Sequence, residues 1–257
     1  MRKILFISIC FLFKIGDGVS QQIPETRFFV SFSAGPAIPV GSFAKDNIQE
    51  ASLFLEKDPI FLGIDKSEAG FAKTGFNYRL HLEYLLNPKV FTFLRFGGSN
   101  NQVDTAELQD FFTDRFRGEV KFEHDDYKIS TLLSGFGYRL NERFWNLSLG
   151  FAIGYGQTNY PYYQVELLYT LSNPKLIYSH SPSAEQPNLN SLVFSGLMNI
   201  HYKKNRFKFG LETTIEHASF DYQMSNGVPG TTYWPYSNTL KTSLFNAGIS
   251  VGYSFGL

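Results

Sequence analysis

The chain has one cysteine, Cys10, and no excess charge: 23 basic side chains balance 23 acidic ones over 257 residues. A lone cysteine excludes an internal disulfide and a cysteine-built metal centre. The balanced charge excludes a global field that would draw the chain to nucleic acid or to an acidic lipid surface. Past the N-terminus no uninterrupted apolar run approaches the ~20 residues of a membrane helix, so any membrane span must be made of strands. A phosphate-binding glycine loop, paired Cys/His metal spacing and a nucleophile elbow are all missing. The expectation is therefore no metal, no cofactor and no nucleic-acid partner.

What is abundant is aromatic: 27 Phe and 15 Tyr, with 17% of residues Phe, Tyr or Trp. Their placement is clearest in 242–257. Phe245, Ala247, Ile249, Val251, Tyr253 and Phe255 alternate with Leu244, Asn246, Gly248, Ser250, Gly252 and Ser254. Only an extended strand sends alternate side chains to opposite faces, so a period of two means a strand. Here one face is oily and the other is small and polar. A sheet closed into a narrow tube inside lipid needs this division, with the apolar face outward and small or polar groups in the bore.

The same pattern recurs at 26–37, 71–86, 89–98, 121–140, 145–156, 190–202 and 207–221, which makes eight strands. Short turns join 71–86 to 89–98, 121–140 to 145–156, and 190–202 to 207–221. Segments of fifteen to thirty residues, about 40–70, 99–120, 157–189 and 222–238, make the other joints. The first of these holds a possible short helix at 47–57. Strict short/long alternation is the habit of outer-membrane barrels. The predicted fold is all-β, an eight-stranded antiparallel up-and-down transmembrane β-barrel with short periplasmic turns and long external loops.

The N-terminus reads as an export signal. Arg2 and Lys3 precede an apolar core from Ile4 to Phe13, and small residues at Gly18 and Ser20 suit cleavage before Gln21. This divides the chain into a signal peptide, 1–20, and a barrel domain, 21–257. Cys10 falls inside the signal, and Ile9 before it is too large for a lipoprotein signal. The address is the outer membrane of a Gram-negative bacterium.

With the oily faces outward, Arg27, Arg79, His81, Glu83, Arg95, Arg139, His201, Glu212 and Glu216 point into the bore. Buried charges must be paired or solvated, so an interior ion-pair network is expected, and eight strands leave little room for a solute pore. Tyr84, Tyr138, Trp145, Tyr202 and Phe207 stand beside the short turns on the oily face, where an interfacial aromatic girdle belongs.

Several stretches are similar to the small outer-membrane β-barrel family of Bacteroidota, also called PorT-like. They are Ser20-Gln21-Gln22, the run Phe28 to Pro36, Lys73-Thr74-Gly75-Phe76, and Gly248 to Phe255. The resemblance covers the mature chain and implies an outer-membrane location. It also implies that the partners are outer-membrane lipid and the barrel-assembly machinery. Leu257 departs from the aromatic last residue usual in such proteins. The four loops, rich in Tyr, Phe, Asn and charge, suit a contact surface for other cell-envelope proteins, and the strands an anchor.

Two other readings stay open. His217, Ser219 and Asp221 alternate on the outward face of the seventh strand and resemble the His-x-Ser element of outer-membrane lipid A deacylases, in which Ser is the nucleophile and His the base. Phe220 stands where that family has Asn. The other reading is a soluble lipocalin-like barrel, with the oily faces lining a ligand cavity and the charges in water.

Overall fold

The structure, a computed structural model, describes residues 26–54, 61–116, 119–141, 144–161, 163–168, 176–180, 188–226 and 234–256. The signal reading, Cys10 and Leu257 lie outside them. Eight strands form the wall: β1 (Thr26–Pro39), β2 (Gly75–Leu85), β3 (Val90–Asn101), β4 (Tyr127–Asn141), β5 (Trp145–Thr158), β6 (Leu189–Lys204), β7 (Phe207–Asn226) and β8 (Trp234–Gly256). Each pairs antiparallel with its chain neighbours, and β1 pairs with β8, so the sheet closes. Closure leaves no free edge, the condition for a sheet in lipid, where no water satisfies an open ladder.

The short connections are held by local chemistry. At 86–89, Asn87 Oδ1 accepts from the backbone N–H of Lys89 and of Val90, both at 2.8 Å. Between β6 and β7, Asn205 takes a left-handed conformation at φ 58°, which Asn tolerates better than most side chains.

The long connections hold more structure than the loops expected, and of the short helix expected at 47–57 one turn forms. Segment 40–74 contains a 3-10 turn at Gly41–Ala44, a one-turn helix α1 (Ile48–Ala51) and a small hairpin of Ser52–Phe54 with Phe61–Ile64. Segment 102–126 contains a helix, α2 (Thr105–Phe116), which period two does not predict. Asp104 starts it by accepting from the Ala106 N–H at 3.2 Å, and Leu108 and Phe112, four apart, bury on one face. The expected strand over 121–140 is broken at Asp125-Asp126. Its first part, Glu119–His124, leaves the wall and joins Tyr163–Leu168 and Leu176–His180 in a separate three-stranded sheet.

The last two strands are longer than period two suggested. β7 runs 20 residues and β8 runs 23, against ~9–11 needed to cross a bilayer. Their extra pairs, from Ser219↔Lys241 to Asn226↔Trp234, extend a hairpin toward the long loops. There the exposed positions are polar, Ser219, Asp221, Gln223 and Lys241, while Phe220, Tyr222 and Leu240 are buried, so the oily outer face ends.

Inside the wall, the bore is apolar toward the loops and charged toward the short turns. Leu133, Val193, Leu197, Phe220, Leu240 and Leu244 are buried on inward positions, continuous with Phe43, Ile64, Phe71, Leu108 and Phe112 of the loops. Near the short turns the ring tips of Phe91 and Phe29 press against Gly137 and Gly252. A Cβ on Gly137 would sit 2.3 Å from Phe91 Cζ and 2.6 Å from the Leu149 carbonyl oxygen. Gly137→Val should therefore cost about 1–3 kcal/mol by overpacking. Urea unfolding in lipid vesicles would register it, and an unchanged midpoint would contradict the packing described.

Candidate functional site

The inward charges of β2, β3, β4 and β7 stack as three tiers. Nearest the short turns, Arg139 binds both carboxylate oxygens of Glu83 and lies 5.2 Å from the Phe91 ring centre. In the middle, Arg95 pairs with Glu212 at 3.1 Å, stacks on Phe93 at 5.5 Å and approaches His81 Nδ1 at 3.5 Å. Above it, the Arg79 guanidinium reaches Glu216 Oε1 at 3.0 and 3.3 Å and also donates to Asn77 Oδ1. His201 completes the interior, its Nε2 2.6 Å from Ser250 Oγ. All eight of these charged or titratable side chains are at most 6% exposed. The register explains the tiers: His81 faces Arg95 across β2 and β3, while β7 brings Glu212 and Glu216 four residues apart on one inward row.

Arg27 stands apart from this network. The pairing of β1 with β8 shifts between Thr26 and Phe28, and the half-buried Arg27 donates to Tyr84 Oη at 3.4 Å at the rim. Lys208, absent from the expected set, is buried on the same inward row as Glu212. Its place opposite Phe207 was the available signal.

On the outside, the order is reversed. Phe136, Leu192, Leu211, Ile215 and Ile249 are 57–72% exposed on the wall, and the oily residues around them are exposed as well. Tyr84, Tyr138, Trp145, Tyr202 and Phe207 form a ring near the short turns, all outward. Trp145 meets Tyr202 edge-on at 5.3 Å and Phe207 meets Tyr253 at 5.2 Å; Phe28 and Phe255 extend the ring. A continuous apolar belt of this size, around a bore lined with ion pairs, is not tolerated in water.

This wall spans a membrane.

The lipocalin arrangement, with oily faces lining a cavity, is the inverse of what the strands adopt. No protein-family model matches the chain, and no curated protein does. Solved structures that resemble it include Ail, the attachment invasion locus protein of Yersinia pestis, with 12% identity over 90% of this chain and 99% of that one at a TM-score of 0.41. Neisserial surface protein A (NspA) shows 11% identity over 89% and 97%, at 0.41. The outer membrane protease OmpT of Escherichia coli shows 11% over 92% and 99%, at 0.45. The likeness is one of barrel architecture and assigns no activity.

At the loop end, the segment Ile64–Gly70 fills the mouth of the bore. Asp65 accepts from the Ser67 N–H at 2.9 Å, from Asn238 Nδ2 at 2.6 Å and from Tyr222 Oη. Lys66 is 1% exposed and its ammonium is ringed by Tyr127, Tyr160 and Tyr163, 5.2–5.8 Å from their centres. Its Nζ donates to the Pro161 carbonyl at 3.1 Å and lies 2.6 Å from His124 Nε2. Because His124 Nδ1 faces the Asp125 carbonyl, the ring donates there and accepts from Lys66. Aperiodic sequence hid this seat. The polar triplet Asp65-Lys66-Ser67 between apolar neighbours was its only mark.

The seat is sensitive to acid. Burial lowers the Lys66 pKa well below its ordinary value, against the pull of Asp125. Burial, then the adjacent Lys66, holds His124 down to about 2. Both bases bind fewer protons seated than released, so seating is favoured as pH rises; the His124 contribution is lost as pH falls below the free histidine value near 6.5, and Lys66 acts in the same sense from the free lysine value of about 10.4 downward. Hydrogen exchange at 64–70 should quicken roughly tenfold by pH 5.5, beyond the intrinsic rate change. His124→Gln should flatten this dependence, and equal profiles for the two proteins would refute it.

The outward trio does not assemble. His217 Nδ1 lies 2.8 Å from Ser243 Oγ on β8, Asp221 accepts from Thr239 Oγ1 at 2.8 Å, and Ser219 offers its backbone carbonyl to Ser191 Oγ at 2.5 Å. Residues two apart on one strand face are about 6–7 Å apart. The His217 and Asp221 side chains therefore find their partners on β8, Ser219 engages β6 through its backbone carbonyl, and no Ser219–His217–Asp221 relay forms among the described contacts.

Proposed function

We propose that this chain is a bacterial outer-membrane β-barrel that serves as an anchor, with the short turns in the periplasm and the long loops presenting a binding or assembly surface outside. Spanning barrels with an even strand number and sorted connection lengths belong to that membrane. Residues 1–20 act as the cleaved export signal, and the strand motifs similar to the Bacteroidota family agree with this address. The wall contacts outer-membrane lipid and depends on the assembly machinery, while the loops contact other envelope proteins.

One observation carries the reading: the loop end is folded. It has its own helix, its own three-stranded sheet and a buried polar seat on the barrel, whereas mere connections would need none of these. Among the described residues ion pairs and Phe29, Phe91 and Phe93 are buried within the bore, which supports a barrel closed to solutes.

The test is a pull-down from detergent-solubilised outer membrane, comparing the full chain with one from which loop residues 162–187 are removed. Partners retained by the full chain and lost with the deletion support a loop surface. Identical partner sets, or stepwise ion conductance in planar bilayers, would overturn the reading.

A further inference from the structure

The short-turn end of the bore holds a cavity of about 180 Å³. That is well above the ~10–15 Å³ that admits one water. Its lining is one-signed: Arg27, Arg139, Lys203, Arg206 and Lys208, without a carboxylate. Asn146, Asn205 and Ser254 add neutral polar groups.

Among the described residues no carboxylate lines the cavity beside Arg27, Arg206 or Lys208. Glu83 attracts Lys208 from deeper in the bore, but Arg139 already occupies both of its oxygens. Among the described residues the Arg27 and Arg206 side chains meet tyrosine hydroxyls, those of Tyr84 at 3.4 Å and Tyr253 at 3.3 Å. Lys208 is the decisive residue. It is 7% exposed, its Nζ rests 3.7 Å above the centre of the Phe29 ring, and no hydrogen-bond acceptor meets it among the described residues. A buried ammonium that touches a ring face and shares its one attracting carboxylate with an arginine is costly unless a further anion joins the site.

From this geometry we propose that the cavity binds a phosphate-class oxyanion, held by Lys208 from within and by Arg27 and Arg206 from the rim. Guanidinium forks match tetrahedral oxyanions, and a dianion answers several cations at once. The mouth lies level with Tyr84, Phe28, Tyr253 and Phe207 of the aromatic ring, the height of lipid headgroups. The oxyanion is thus a free phosphate or the phosphate of a headgroup in the adjoining leaflet.

The test uses the full mature chain refolded in phosphate-free, uncharged detergent. Inorganic phosphate is titrated in by calorimetry and by thermal unfolding, against sodium chloride of equal ionic strength. Wild type should bind saturably. Lys208→Met should weaken binding at least tenfold, and Arg206→Gln, a change at an exposed turn that the fold does not need, severalfold. Native mass spectrometry after exposure to phosphatidylglycerol forms the second arm. Lipid retained by wild type, lost in Lys208→Met and displaced by phosphate identifies a headgroup, whereas phosphate binding without lipid retention identifies the free ion. The proposal fails if wild type shows no phosphate effect beyond chloride and retains no lipid, or if both variants bind as wild type does.

Discussion

Arg79→Met should destabilise the barrel by about 3–5 kcal/mol, because it strands the Glu216 carboxylate in a bore that water does not flush. Arg79 is 3% exposed and Glu216 is 6%, and the two meet at 3.0 Å. Much of the loss is the cost of the charge left behind, so removing that charge as well should restore most of it. The double variant Arg79→Met/Glu216→Leu is expected within about 1–2 kcal/mol of wild type, since replacing a buried pair by apolar groups is often nearly neutral. Reversible urea unfolding in lipid vesicles, followed by the fluorescence of Trp145 and Trp234, measures both. Equal losses for the single and double variants would mean that the pair is wetted and the tiers described are not sealed.

Ile249→Arg probes the other face. Ile249 is 72% exposed at the middle of β8, beside Ala34 of β1 and Leu211 of β7. In lipid an arginine at mid-wall costs about 2–4 kcal/mol, and less near the interfaces. In water the same exposed position would take arginine within about 0.5 kcal/mol. Gln223→Arg on β7 is the control. It is also outward and exposed, but it sits in the hairpin that extends toward the loops, so it should be close to neutral. A similar small effect at both positions would argue that no bilayer surrounds the strand.

The two predictions depend on a division that was legible residue by residue. The alternation of Trp145 to Gly156 and of Ser243 to Gly256 separates oily from small side chains, and those faces are the outside and inside of the wall. The inward place of Arg79, Arg95, Glu212 and their companions follows from the same parity. Parity also marked Lys208 as inward. Its importance was invisible until Phe29 and the rim arginines were brought around it, since these come from different strands.

Apart from the helical turn within 47–57, the loop segments were legible as lengths and composition but not as structure. Period two is imposed by two unlike solvents on the two faces of a sheet, lipid outside and a packed bore within. Above the bilayer that contrast ends, so β7 and β8 continue as strands without announcing it, and 119–124 leaves the wall although its sequence reads on into β4. The helix at Thr105–Phe116 was written in Asp104, Leu108 and Phe112, but a single buried face four residues apart is easily lost among polar neighbours.

What this chain decided locally is its wall: the number of strands, which way each side chain faces, and where the tight turns fall, because a strand in lipid must repeat one rule along its whole length. What needed the third dimension is every contact between charges. Pairing of Arg79 with Glu216, the seating of Lys66 among three tyrosines and the gathering of cations around Lys208 join positions far apart in the chain. Only closure of the sheet sets the stagger that brings them within reach.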